Sequence, residues 1–168
     1  NVSTDVGPLI NQDAQQKIQA YIDAAESQGR LLKRVDCPSQ GHFVAPSVLS
    51  VSGIQEMTQE IFGRVLHVAT FRAEQIDDIV DDINDSGYGL TFGLHTRIDD
   101  RVEKVTTRLT VGNMYVNRNQ IGAVVGSQPF GGEGLSGTGP KAGGPHYVKR
   151  FARAAIVENS ISLDVNQD

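Results

Sequence analysis

Residues 90–117, LTFGLHTRIDDRVEKVTTRLTVGNMYVN, decide the fold. Leu90 to His95 is a short apolar run of strand length, and Gly112 to Asn117 is another. Between them Ile98, Val102, Val105 and Leu109 recur at the spacing that gives a helix one apolar face. A strand, a helix and a strand in that order need a crossover connection, which lays the two strands parallel. Upstream the alternation continues. Ala73 to Asp85 places Ile76, Ile79, Val80 and Ile83 at helical spacing before Gly87, with an acidic outer face. Leu31 to Val35, Phe43 to Val51 and Phe62 to Phe71 read as strands, with a short helix over Ile54 to Glu60. The first element is an amphipathic helix from Gln12 to about Gln28, with Ala14, Ile18, Tyr21, Ile22 and Ala25 on one face and Gly29 placed to stop it. Downstream, Pro145 to Arg153 can make a short helix, and Ala154 to Leu163 a late strand. The expected fold class is therefore α/β with a parallel sheet.

A length of 168 residues suits one domain, and 39% hydrophobic residues suffice for a core. The net charge of −5 offers no basic footprint for nucleic acid or an anionic membrane surface, so neither is an expected partner. No apolar run approaches the roughly 20 residues that span a bilayer, and Asn1 to Asp5 lacks the regions of a signal peptide; the expected setting is cytoplasmic. Cys37 is the single cysteine and cannot form an internal disulfide. It sits in a turn-like loop beside Asp36, whose charge opposes a thiolate, and is read as an incidental loop cysteine.

Asn117 to His146 concentrates Gly and Pro, and this segment is expected to touch a ligand, because glycine exposes backbone N–H groups and permits unusual turns. Within it Gly132-Glu133-Gly134-Leu135-Ser136-Gly137 matches the spelling of a dinucleotide fingerprint. That fingerprint works where a strand ends and a helix opens, whereas Pro129, Pro140 and Pro145 punctuate this stretch, so the match reads as a decoy. Lys141 is not followed by the Ser or Thr of a phosphate loop. His42, His67, His95 and His146 are too scattered to suggest a metal site; His67 and His95 fall inside expected strands. Glu60 and Phe62 stand two positions apart at the entry to a strand, where alternation turns both the same way. A carboxylate can accept both vicinal hydroxyls of a ribose, and an aromatic beside it can wall a planar ring. A core Phe and a solvated Glu are the plainer alternative.

Glu60-Ile61-Phe62-Gly63, Ser86-Gly87-Tyr88-Gly89-Leu90, and Gly112-Asn113 through Pro129-Phe130-Gly131-Gly132 and Leu135-Ser136-Gly137 resemble, in order and separation, the aldehyde dehydrogenase superfamily. The late segment, Tyr115 to Asn119 through Lys141 to Tyr147, is most similar to the L-glutamate γ-semialdehyde (1-pyrroline-5-carboxylate) dehydrogenase part of bifunctional proline utilization A. The resemblance runs from Ser3-Thr4-Asp5-Val6-Gly7-Pro8 to the final strand. It implies a doubly wound catalytic domain, with residues 1–153 as its C-terminal part and 154–168 as a terminal strand and tail. That last strand either pairs outside its own domain, as a homo-oligomer contact, or lies at an ordinary sheet edge.

In that family a cysteine thiolate attacks the aldehyde, the thiohemiacetal gives hydride to NAD, and water hydrolyses the thioester. The resemblance places the nucleophile, general base, oxyanion-hole asparagine and adenosine-binding domain upstream, and Cys37 does not match the nucleophile. No catalytic residue is therefore assigned, and the chain alone is expected to be inactive. Glu60 matches the position that holds the nicotinamide ribose and Phe62 the one that packs by the nicotinamide. Gly122 and Ala123 match the loop that anchors the substrate carboxylate, and Phe130 the aromatic beside its aliphatic chain. Arg64 is a departure, standing where the family usually has proline. FAD is expected only in a separate proline dehydrogenase domain of the parent. The competing expectation is a non-catalytic assembly module whose glycine-rich loop binds a partner or a small anion.

Overall fold

The structure is a computed structural model and describes residues 6–151. The late strand and tail expected over residues 154–168 lie outside the described residues. The chain divides into two compact units, the first reaching Ile76 and the second beginning at Asp77.

The first unit opens with helix α1 (Gln12–Ser27). Asn11 caps it, its side chain accepting the Ala14 N–H at 2.9 Å and so satisfying one of the orphan donors of the first turn. At the far end Gly29 adopts φ +71°, the Gly29 N–H donates to Glu26 and the Arg30 N–H to Ala25, both at 2.9 Å. That pair of bonds is a Schellman stop. The expected stripe is the buried one, with Ile22 and Ala25 fully enclosed and Ile18 nearly so.

Strands β1 (Leu31–Arg34), β2 (Ser47–Ser50) and β3 (Val65–Val68) form one sheet with β2 in the centre. β2 and β3 are parallel, Ser47 facing Val65 and Ser50 facing Val68. β1 pairs antiparallel with β2 across a bulge between Leu31 and Lys33. An antiparallel edge strand on an otherwise parallel sheet is common in doubly wound folds. Ile18 and Ile22 of α1 meet Val44, with Leu9, Leu31 and Val65 packed around them.

Several elements are shorter than the sequence suggests, the strand expected over Phe43 to Val51 among them, which runs only from Ser47 to Ser50. The helix expected over Ile54 to Glu60 is a single 3-10 turn, Ile54–Glu56, because Met57 leaves helical geometry at φ −87° and ψ 72°; the Glu56 carboxylate reaches back over the start of the turn to accept the Ser52 N–H and hydroxyl, at 2.8 and 2.9 Å. The strand expected from Phe62 begins only at Val65.

In the second unit, helix α2 (Ile76–Asp85) leads to β4 (Tyr88–Gly89) and β5 (Thr91–Leu94). Helix α3 (Asp99–Thr106) then crosses to β6 (Asn113–Val116), which pairs parallel with β5 from Thr91 opposite Asn113 to Leu94 opposite Val116. This is the β-α-β unit read from residues 90–117. Val105, Leu109 and Tyr115 are its buried apolar residues, and Val80 is that of α2. Asp77 of α2 pairs with Lys104 and Arg108, and Asp81 with Arg108, so part of the acidic face of α2 is spent on α3 and the turn that follows it. The Lys104 hydrogen bond, more than the remaining charges, holds the Asp77 carboxyl below its ordinary range. The short strand β7 (Glu133–Gly134) pairs antiparallel with β4. The chain turns through residues 145–148 and is helical over 149–151, where the described residues end.

Candidate functional site

The residues singled out in the sequence fall into two groups, Glu60 and Phe62 in the first unit and Gly122, Ala123 and Phe130 in the second.

Glu60 and Phe62 do not stand on a strand. The Gly63 N–H donates to the Ile61 carbonyl at 2.9 Å, a γ-turn centred on Phe62, which breaks the alternation assumed for this stretch. They are nevertheless brought together: Gln59, Glu60, Ile61 and Phe62 border a recess of about 690 Å³ whose other wall is α1, including Lys17 and Tyr21. That volume lies in the ordinary range for a small-molecule site. Phe62 is 80% exposed, so its ring faces are open, and Glu60 is exposed at the same rim. Among the described residues no side-chain hydrogen bond or ion pair holds the Glu60 carboxylate. An unengaged carboxylate next to an uncovered aromatic can take a polyhydroxylated ring on one side and a flat heterocycle on the other.

Two close fits fix this loop. A Cβ at Gly63 would lie 2.5 Å from Cδ1 of Ile18, so α1 packs directly onto glycine backbone. Next to it, Nη2 of Arg64 donates to the carbonyls of Gly7 and, at 3.4 Å, Pro8, while Nε is buried. The Arg64 carbonyl in turn accepts the Ser47 N–H at 2.9 Å, where the β2–β3 ladder begins. Deeper in the unit, the Tyr21 hydroxyl and Nε2 of His67 are 2.8 Å apart, tying α1 to β3. Burial, and then the charge of Arg30, holds the His67 imidazole below its ordinary range. Arg30 also pairs with Glu56 at 3.3 Å. The hydrogen bonds from Ser52 are the main reason the Glu56 carboxyl sits low.

The glycine-rich segment of the second unit is a folded ladder. Val124 and Gln128 exchange main-chain hydrogen bonds at 2.9 and 2.8 Å, and the Gly126 N–H at the tip donates to Gly143. Phe130 and Ala142 form a second such pair, at 3.0 and 2.8 Å. Asn113 clamps the strand between them from both sides: its amide donates to the Pro129 carbonyl at 2.9 Å and its oxygen accepts the Gly131 N–H at 3.2 Å. Lys141 adds a bond to the Gly112 carbonyl.

Gly122 and Ala123 stand just before the first pair of this ladder, and half-buried Phe130 belongs to the second. A Cβ at Gly122 would lie 2.7 Å from Nη2 of Arg118 and 3.0 Å from Oε1 of Gln128. Arg118 is itself held over the Tyr115 ring, 5.3 Å from its centroid. Open backbone N–H groups near a guanidinium suit an anionic group.

The G-x-G-x-x-G stretch opens no helix. Residues 132–137 make β7 and two tight turns against β4, with the Leu135 N–H on the Gly87 carbonyl at 2.8 Å and the Gly89 N–H on the Ser136 hydroxyl at 3.2 Å. His95 is exposed just beyond the end of β5 rather than inside a strand. Cys37 is exposed. Among the described residues no three His, Cys, Asp or Glu side chains gather at a common point, and no helix is long and apolar enough to cross a membrane.

Sequence reasoning missed the α1 wall of the recess and the Asn113 clamp. Lys17 and Tyr21 stand about 40 residues from Glu60, and local periodicity carries no signal for such pairings. Asn113 carries no local signal of its contacts with Pro129 and Gly131, which lie well along the chain.

Residues 1–157 match the model of the aldehyde dehydrogenase family. The bifunctional protein PutA of Rhizobium meliloti is 49% identical over 158 residues, covering 92% of this chain and 13% of that protein. A 1-pyrroline-5-carboxylate dehydrogenase of Geobacillus sp. (strain WCH70) is 41% identical, over 92% of this chain and 30% of its own length. Among solved structures, a bifunctional proline utilization A protein superposes with a TM-score of 0.84 at 51% identity, covering 89% of this chain and 15% of that one. A Thermus 1-pyrroline-5-carboxylate dehydrogenase with bound NAD gives 0.76 at 35% identity, over 88% of this chain and 29% of that one. The chain thus spans only a minor part of the length of the relatives it matches.

Proposed function

The chain belongs to the aldehyde dehydrogenase family, and from that premise we propose that it is part of an NAD-dependent dehydrogenase oxidising L-glutamate γ-semialdehyde, formed from 1-pyrroline-5-carboxylate, to L-glutamate in proline catabolism. The observation that carries this reading is the recess beside α1, where an unengaged Glu60 and an open Phe62 ring share one rim. These two residues fit the nicotinamide ribose and the nicotinamide. NAD, when bound, accepts the hydride. In the second unit the N–H groups of Gly122 and Ala123 take the substrate carboxylate, and Phe130 packs along its aliphatic chain and excludes water.

The nucleophile, base, oxyanion-hole donor and adenosine site belong to the remainder of the dehydrogenase, and the 168 residues alone are inactive. Residues 154–168 serve assembly. A separate proline dehydrogenase domain with FAD completes the parent.

The test is a pair of variants in the full-length dehydrogenase. Glu60→Gln weakens charge-assisted bonds to the ribose, so KM for NAD rises about tenfold while KM for the semialdehyde stays near its starting value. Gly122→Val fills the carboxylate anchor and raises KM for the semialdehyde more than for a simple aliphatic aldehyde. Two variants that shift every KM in the same proportion would refute the assignment.

A further inference from the structure

Arg64 follows the loop that carries Glu60 and Phe62, and the structure shows what its side chain does. In the stretch Gln59 to Gly63, Gln59, Glu60, Phe62 and Gly63 are exposed. Its own main chain contributes one tight hydrogen bond, Gly63 to Ile61. Among the described residues no side-chain hydrogen bond or ion pair restrains Gln59, Glu60 or Phe62. A segment with so few fastenings opens locally at low cost unless its ends are fixed. Two contacts fix the C-terminal end. Gly63 bears on Ile18, and Nη2 of Arg64 reaches the carbonyls of Gly7 and Pro8, while its buried Nε has no hydrogen-bond partner among the described residues.

The segment that Arg64 grips is fixed in turn. The Leu9 N–H donates to the His42 carbonyl at 2.7 Å, and Asn11 caps α1, whose face forms the opposite wall of the recess. The guanidinium therefore joins the two walls through the main chain of residues 7–11.

We propose that Arg64 is a positioning residue of the cofactor-side loop, strapping it to the Gly7–Pro8 main chain and thereby holding Glu60 and Phe62 at the rim of the α1 recess. Arginine does here by charge-assisted hydrogen bonds to carbonyls what a proline ring does by fixing φ. The proposal rests on the assignment of Glu60 and Phe62 to NAD, and the experiment separates the two.

The full-length dehydrogenase is compared with its Arg64→Met, Arg64→Lys and Glu60→Gln variants. The readouts are KM for NAD, KM for the semialdehyde, and amide hydrogen exchange of peptides covering residues 6–11 and 59–64. Methionine keeps an apolar stem and removes every donor. Arg64→Met speeds exchange in both peptides and raises KM for NAD about fivefold, with KM for the semialdehyde within about twofold of the parent value. Lysine keeps a cationic donor and recovers most of both effects. Glu60→Gln raises KM for NAD at unchanged exchange and so reports on the cofactor assignment alone; if it leaves that KM unchanged, the assignment fails and the exchange data decide the strap. Unchanged exchange in Arg64→Met, or an equal rise in both KM values that lysine does not recover, overturns the proposal.

Discussion

Gly63→Ala tests whether contact with α1 sets the position of the cofactor-side loop. The φ of Gly63 lies outside the left-handed region, so alanine is conformationally admissible there. By chain entropy alone the change would stabilise by about 0.4–1 kcal/mol. Sterics point the other way. The new methyl would sit 2.5 Å from Cδ1, 3.0 Å from Cγ2 and 3.1 Å from Cγ1 of Ile18. Restoring an ordinary carbon contact requires a displacement of about 1 Å. Ile18 is 6% exposed and β-branched, so it cannot swing clear, and the loop must move. Overpacking of this kind costs about 1–3 kcal/mol. Subtracting the entropic gain leaves about 1–2 kcal/mol, which corresponds to a rise of roughly 5- to 30-fold in KM for NAD if the loop absorbs it.

The assay is a double-mutant cycle on kcat/KM for NAD with Ile18→Val, which deletes the offending Cδ1. Alone, Ile18→Val costs about 0.5–1.5 kcal/mol of stability by leaving a small void. In the Gly63→Ala background it relieves the clash, so the double variant binds NAD better than Gly63→Ala alone, with a coupling of about 1 kcal/mol. Additivity within about 0.5 kcal/mol would refute the reasoning. So would a Gly63→Ala enzyme with unchanged KM for NAD.

Two further outcomes follow from the same geometry. His67 titrates below its ordinary value of 6.5 because it is partly buried and lies near the charge of Arg30, so the unfolded chain takes up the proton first as pH falls. Its contribution to stability is full above pH 6.5 and drains as pH drops from there towards the folded value; His67→Gln flattens that part of the profile of thermal inactivation against pH, and an unchanged slope would count against it. Asn113→Ala strands the Pro129 carbonyl and the Gly131 N–H together, costing about 2–4 kcal/mol, and loosens Phe130, so that KM for the semialdehyde rises while KM for NAD does not.

The parts of the fold legible in the sequence are those whose cause is local. The stripe Ile18, Ile22 and Ala25 is a period, and Gly29 is a stop; both stand where the sequence put them. The crossover from Leu90 to Asn117 needs no distant partner to be recognised, and its strands pair in parallel as that length demands. Illegible were the places where the backbone leaves regular geometry. Glu56 is a good helix former, yet Met57 after it takes φ −87° and ψ 72° and the 3-10 turn stops there. Phe62 has strand propensity, yet Gly63 and Arg64 are fastened to α1 and to Gly7–Pro8, and the loop takes a γ-turn to satisfy both. At the candidate site Glu60 and Phe62 could be singled out by residue type and spacing, while the wall they face could not, because Lys17 and Tyr21 belong to a helix whose polar face looks like any solvated surface.

The bond from Arg64 to the Gly7 and Pro8 carbonyls has a practical side. A pyrrolidine ring restrains its chain whatever the buffer contains. A guanidinium resting on peptide carbonyls instead meets competition from any dissolved guanidinium salt, which offers the same donors in excess. Cofactor affinity in this protein should therefore fade at guanidinium concentrations well short of unfolding, with urea, a neutral denaturant, the milder comparison.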